Sequence, residues 1–354
     1  MPEGIPDHID VWIALAVSVL LLAVFIRARL NFIRLPKLPP AAKSDRLPDC
    51  MVVIPARNEE ALIARAVSTL PHDSVIVVDD HSTDSTAEAA RQAGAGVIQA
   101  PALARGVYGK AHAAMIGARA LTSRWILFTD ADAHFSPGFV EAAVSGAQSN
   151  NAALLSIYLD PEYPAVGSRL LGPYLNALYF CGASPALDST VAFNGQCMLA
   201  RRDAYEFLGG HGAVLNDLNA DLRFAALAQR HRLRFGIARA NGLGSVRFRD
   251  LSAFVNRGAF RFMLPSPLLG STILIAALVM AAWPPILAWL LVDRDYRPAL
   301  AFAILPFVLM WGWYRRSPAI LALPLAIYAA IPLLLRGLWN ALSGSAVEWR
   351  GRSV

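Results

Sequence analysis

An α/β domain with a mostly parallel sheet, carried on transmembrane helices at both ends, is the fold class this sequence predicts. Of its 354 residues, 56% are hydrophobic and the mean hydropathy is +0.43, whereas a soluble globule is roughly 45–50% apolar. The excess collects at the two ends of the chain. Between the ends, short continuous apolar runs alternate with stretches of helical spacing. That is the pattern of parallel strands covered on both faces.

The first element is residues 11–26, sixteen apolar or small residues preceded by Glu3, Asp7 and Asp10 and followed by Arg27, Arg29, Arg34 and Lys37. A bilayer span needs about 20 residues, and the flanks supply the difference. A cleavable signal peptide carries its positive charge before the apolar run. Here the order is reversed, which places the C-terminal side of the helix in the cytoplasm. With the further spans at the C-terminal end, a multi-pass protein of the inner membrane with its central domain cytoplasmic is expected. Residues 1–34 thus form an anchor, and LPKLPPAAKSDRLPD (35–49) reads as a stiff proline-rich linker.

Residues 50–262 form the soluble domain. MVVIP (51–55), SVIVV (74–78), GVIQ (96–99), WILFT (125–129) and ALLSIY (153–158) read as strands. ALIARAVSTL, DSTAEAARQAG and GKAHAAMIGARAL between them read as helices, the second stopped by Gly94. Ligands of such open sheets bind beyond the C-terminal strand ends. Residues 268–292, 299–314 and 318–335 read as three further spans, with two or four as the alternatives, broken by DRDYR and RRS and followed by a basic tail (341–354). Pro284-Pro285 should kink or split the first of them. Seven of the eight tryptophans lie in or beside the end segments, as interfacial anchors do.

The net charge is +6, without a long basic run interleaved with aromatics, so nucleic acid is not an expected partner. Arginines at a membrane surface and a phosphate-handling site account for the excess. Cys50, Cys181 and Cys197 show no metal-like spacing, which argues against a zinc site or disulfide framework and fits a reducing compartment.

Four motifs carry the chemistry. In VVIPARNEE (52–60) a strand ends in Pro55-Ala56, and Asn58 and Glu59 open a helix. Taken alone, Asn58 is an N-cap and the acids suit the first turn. In VIVVDDHSTDSTAEAA (75–90), Asp79 and Asp80 end a second strand. Thr83, Asp84 and Ser85 already offer caps, so this carboxylate pair exceeds what capping needs. Carboxylates there can accept from a nucleobase N–H or ribose hydroxyls. GKAHAAMIGARAL (109–121) opens a helix with Lys110, but no GxxxxGK[ST] surrounds it, so it is not a P-loop. Lys110 either reaches a phosphate at that helix N-terminus or is a solvated lysine.

The fourth is ILFTDADA (126–133), two aspartates at the mouth of a buried strand. Mg²⁺ or Mn²⁺ prefers oxygen ligands, commonly one or two carboxylates plus substrate phosphates. Asp132 can hold such an ion while Asp130 turns to ribose or to the ion's waters. A bare D-x-D is common by chance, and its place in a series of acidic strand ends gives it weight. His134 is expected to be structural.

Together, in this order and spacing, the four motifs resemble the nucleotide-sugar half of family 2 glycosyltransferases of the GT-A fold, over residues 51 to about 240. The resemblance implies a metal-dependent glycosyltransferase. Pro55, Ala56, Glu59, Asp79, Asp80, Lys110 and Asp130 would hold a nucleotide-sugar donor, expected to be UDP-linked. Asp132, with Asp130, would hold Mn²⁺ or Mg²⁺. FNGQCMLARRDAYEFLGGHGAV (193–214) resembles the stretch that shapes the sugar and acceptor pocket, which implies Gly195, Gln196 and His211. The family's Glu-Asp pair ahead of a helix, whose aspartate is the base, corresponds to LNDLNADLRFAALAQRHRLRFG (215–236). Spacing to RLRFG matches Asp221 to the base and leaves Ala220 in the place of the glutamate. Asp217, four residues earlier, is the alternative.

The family's processive members carry a Gln-x-x-Arg-Trp motif that is absent from FVNRGAFRF (254–262), which implies transfer of a single sugar. Arg257 and Arg261 read as membrane flanks. The tail VEWRGR (347–352) resembles the ends of relatives that glycosylate lipids such as ceramide, carotenoids or hopanoids, so a membrane lipid is the expected acceptor. Two alternatives stand beside this: a polyprenyl phosphate as acceptor, and a non-catalytic membrane scaffold or transporter. The spans as read hold no buried acid of the kind that marks an ion pathway, and the intact DAD favours catalysis.

Overall fold

The structure is a computed structural model that describes residues 8–40, 48–184, 189–248, 267–343, 348–349 and 352–353. In chain order it begins with α1 (Ile9–Ile33), β1 (Cys50–Ala56), α2 (Glu60–Ser68), β2 (Val75–Asp79), α3 (Thr86–Gln92) and β3 (Gly96–Gln99). Next come α4 (Gly109–Arg119), β4 (Trp125–Thr129), β5 (Ala133–Phe135), α5 (Phe139–Ser149), β6 (Leu154–Tyr158) and β7 (Asp160–Glu162). Then follow α6 (Val166–Gly182), α7 (Ser189–Ala192), β8 (Cys197–Arg201), α8 (Arg202–Phe207), α9 (Ala220–Arg230), β9 (Phe235–Arg239) and β10 (Gly244–Arg247). The last helices are α10 (Pro267–Ala281), α11 (Trp283–Val292), α12 (Tyr296–Met310) and α13 (Leu323–Ser343).

The α/β unit takes residues 35–162, 185–248 and 346–354. Its seven-stranded sheet has the order β3-β2-β1-β4-β8-β6-β9. β3, β2, β1 and β4 are mutually parallel, as are β6 and β9, while β8 runs antiparallel to both β4 and β6. Val52, Ile54, Val77, Leu127, Leu155 and Leu199 form the buried core of the sheet. Each such side chain contributes roughly 1.5–3 kcal/mol by leaving water. A three-stranded sheet, β5-β10-β7, stands beside the C-terminal end of β4. The expected linker is partly structured: Leu38 N donates to Arg239 O (2.9 Å) and Arg239 N to Pro36 O (2.7 Å), adding a bridge beside β9.

The second unit takes residues 1–34, 163–184 and 249–345. It includes α6, which lies inside the segment expected to be one soluble domain. α6 packs on α1, α10 and α13. Among the described residues, three helices are long and apolar enough to cross a membrane: Ile9–Ile33, Gly270–Val292 and Pro318–Asn340. Of the three expected C-terminal spans, the middle one, Tyr296–Met310, is shorter. Its 15 residues reach only about 22 Å at 1.5 Å each, against a hydrocarbon core of ~30 Å. The break between α10 and α11 falls at Ala282, just before Pro284-Pro285. α1 starts earlier than the sequence suggests and takes in Asp10, which is 2% exposed. The expectation that the spans hold no buried acid is therefore corrected.

Candidate active site

The register of β1 and β2 sets Ala56 beside Asp79, so both strands end at one edge. Asp80 N donates to Ala56 O (2.8 Å), continuing the pairing past the strands, with Pro55 paired to Val78 one step earlier. The two following loops are stitched together. Asn58 Oδ1 accepts from Thr83 N (2.8 Å), Asn58 N donates to Ser82 Oγ (3.0 Å), and Glu59 N donates to Thr86 Oγ1 (2.7 Å). Arg57 donates to Asp80 O (2.6 Å) and His81 O (3.1 Å). Asn58 is thus not the helix N-cap, a position that Glu59 takes. It sits instead at φ 53°, a left-handed conformation that asparagine tolerates, and clips one loop to the other. The frame holds Glu59, Asp79 and Asp80 buried at 8%, 3% and 3% exposure. Asp84 accepts from Thr86 N and its hydroxyl and from Glu60 N. Despite some desolvation, these bonds hold its carboxyl below the usual range.

β4 ends beside this edge, because Val53 pairs with Phe128. β8 runs back along it with Cys197 opposite Thr129, which lays Asn194-Gly195-Gln196 across the strand mouth. Asp130 N and Thr129 Oγ1 both donate to Gln196 O (3.1 Å each). Lys110, in the first turn of α4, forms an ion pair with Asp130 and donates to Gly195 O (3.1 Å). Asp132 follows, its carbonyl accepting from Arg247 N of β10 (3.1 Å). His134 lies within β5 opposite Ser245. Desolvation and then the Arg65 guanidinium push its pKa below the ordinary imidazole value.

Asp221, in the first turn of α9, accepts from Gly195 N (2.7 Å) through Oδ2 and from Leu222 N (2.9 Å) through Oδ1. It joins Lys110 and Asp130 through Gly195. Asp217 turns elsewhere, accepting from Asn219 N (3.0 Å) in the turn before α9. The structure does not bring His211 to the open edge. Its ring is buried against Phe128 (4.6 Å) and Phe224 (4.9 Å), with Nδ1 2.9 Å from Tyr205 OH. Burial, reinforced by the Lys110 charge, pushes its pKa down to about 3.

Two site residues had no signal in the sequence reading. Ser156 Oγ accepts from Asn194 N and donates to Asn194 O (2.8 Å each), anchoring the loop that carries Gly195. Asn194 Nδ2 in turn donates to Gln196 Oε1 (3.1 Å). Only the FNGQ string just ahead of β8 could have pointed to Asn194, and nothing local marks Ser156. Arg257 and Arg261 lie outside the described residues.

The side chains past β4 offer carboxylate oxygens, Asp130 and Asp132, with no thiolate among them. That set fits a hard divalent cation such as Mg²⁺ or Mn²⁺. A parallel sheet whose acidic strand ends face a lysine and a glycine-bearing loop defines a GT-A, nucleotide-diphospho-sugar transferase type of domain. Residues 51–209 match the sequence model of the family described as Glycosyl transferase family 2.

A 4,4'-diaponeurosporenoate glycosyltransferase of Staphylococcus haemolyticus is 29% identical over 216 residues, 57% of this chain and 56% of that protein. One of the same name from Staphylococcus aureus is 40% identical over 89 residues, 24% of each chain. The chain thus spans about half the length of the first relative and a quarter of the second. Among solved structures, a mannosyltransferase from Pyrobaculum calidifontis in complex with GDP-Man and Mn²⁺ superposes with a TM-score of 0.57. The superposition covers 94% of this chain and 99% of that one at 19% identity, a likeness of fold.

Proposed function

We propose that this protein transfers a single sugar from a nucleotide-diphosphate sugar, with UDP as the nucleotide, to the hydroxyl of a membrane lipid, inverting the anomeric centre. One observation carries this: Asp130, Lys110, Gly195 and Asp221 form a connected set at the sheet edge that also holds Glu59, Asp79 and Asp80. The names of the carotenoid-type relatives support a lipid acceptor, and the ligands of the mannosyltransferase support a nucleotide sugar with a divalent ion. The apolar helices would keep the domain at the cytoplasmic face of the inner membrane, where a lipid presents its hydroxyl.

In this reading Glu59, Asp79 and Asp80 accept hydrogen bonds from the base and ribose, beside the backbone of Pro55 and Ala56. Asp132 and Asp130 would hold Mn²⁺ or Mg²⁺, which when bound supplies positive charge to the diphosphate. Lys110, in the first turn of α4, would meet the diphosphate and stabilise the charge of the leaving group. Asp221 takes the acceptor proton as the oxygen attacks the anomeric carbon. Its bonds from Gly195 N and Leu222 N fix its orientation, and each carboxylate oxygen keeps acceptor capacity beyond one bond. Gly195 and Gln196 line the sugar pocket, and His211 supports it from below.

Calorimetric titration of UDP with Mn²⁺ tests the donor half. The wild-type chain should bind UDP with Mn²⁺, and Asp132→Asn should lose the Mn²⁺-dependent part. Full Mn²⁺-dependent binding by the variant would make DAD a simple strand end, and a chain that binds neither would be a scaffold.

A further inference from the structure

We propose that His8, Asp10 and Asp295 form a second divalent-cation site, of the zinc type, clamping the N-terminus of α1 to the turn between α11 and α12. One ligand atom from each residue lies within 4.8 Å of the other two. His8 Nδ1 and Asp295 Oδ2 are 3.3 Å apart. Two ligands about 2.0 Å from a tetrahedral Zn²⁺ stand at about that separation.

Helix capping is the alternative use for acids at such positions. His8 and Asp295 hold the N-cap positions of α1 and α12, yet neither makes a side-chain cap hydrogen bond. Asp295 turns toward His8 instead.

Asp10 supplies the independent observation. It is 2% exposed, and its Oδ2 is buried without a hydrogen-bond partner. No lysine or arginine forms an ion pair with it among the described residues. A carboxylate in that state loses its hydration with nothing in return unless an opposite charge meets it. His8 is the nearby cation candidate, but its proton can serve the Asp295 contact and leaves a second carboxylate to be balanced. A divalent ion balances both.

The imidazole selects within the class. Mg²⁺ and Ca²⁺ favour all-oxygen sets, whereas a nitrogen with two carboxylate oxygens suits Zn²⁺ and its first-row neighbours. His8 is exposed, leaving the fourth position open to water. The role that follows is structural. The ion would tie the first helix to the C-terminal helices of the same unit, independently of the sheet-edge carboxylates.

The test uses the full chain in detergent micelles, stripped with a chelator and dialysed against Zn²⁺, on an Asp132→Asn background that weakens the sheet-edge pair. Asp132→Asn should retain a Zn²⁺ ion per chain and melt at a higher temperature with zinc than without. Adding His8→Ala should abolish both effects. Because His8 is exposed, that change leaves the fold intact, as gel filtration and circular dichroism would verify. Asp10→Asn should likewise abolish zinc retention. Undiminished Zn²⁺ retention after His8→Ala, or none in Asp132→Asn itself, would overturn the site.

Discussion

Gly195 carries no Cβ, and that absence lets Asp221 close on its N–H. A Cβ there would lie 2.9 Å from Asp221 Cβ and 3.2 Å from Oδ2, so an alanine must push the first turn of α9 away. Gly195→Ala should therefore keep UDP affinity and lower transfer about 10²-fold, the scale of a 1 Å misplacement. Unchanged turnover would show that Asp221 needs no such seat. Asp221→Asn should cost ~10²–10⁴ in turnover with little change in donor binding, and Asp217→Asn far less. The reverse ranking would move the base by a helical turn. Equal small losses would exclude both. His211 gives a pH signature. Its pKa falls from 6.5 to about 3 on folding, so the unfolded chain binds more protons between those values. Stability from this residue is full above about pH 6.5 and is lost as pH drops toward 3. Melting temperatures between pH 4 and pH 7 should converge in His211→Gln, and an unaltered pH slope would contradict the burial of that ring.

Among the elements, β1, β2, β4 and β6 are legible because each is buried along nearly its whole length and so reads as an unbroken apolar run, whereas β3 at the sheet edge is only half-buried. The acidic ends of β2 and β4 are legible too, because carboxylates directly after such runs have no packing reason to be there. β8 is not legible. Its position between β4 and β6 is set by long-range antiparallel pairing, which leaves no local mark on CMLAR. Asn58 misleads for a related reason: its partners Ser82 and Thr83 lie 24 and 25 residues away in the chain. α4 presents Lys110 correctly only if it sits close to the sheet. Gly117 permits that, since a Cβ there would come within 2.4 Å of Val53 Cγ1. Gly117→Ala should destabilise the α/β unit by about 1–3 kcal/mol, the usual cost of overpacking. Thermal melting would measure it, and an unshifted transition would mean that α4 has slack.

At the scale of the molecule, the sequence shows the membrane character of the ends but not how the chain is shared between its two units. α6 leaves the α/β unit to join the helices, and nothing in its sequence announces this. Its 17 residues contain Pro173 and fall short of a span of about 20, so it reads as part of a soluble domain. Asp10 is hidden likewise, because a sequence window stops at the first charge whereas the helix includes it. The central claim is that this membrane-anchored domain moves one sugar onto a lipid. The most direct measurement is to incubate the full chain in native membranes with radiolabelled UDP-sugars and Mn²⁺, then extract and weigh the labelled lipid by mass spectrometry. The account predicts label in the lipid fraction as a product one hexose heavier than its acceptor, absent with Asp221→Asn. Label confined to polymer, or an Asp221→Asn variant as active as wild type, would contradict it.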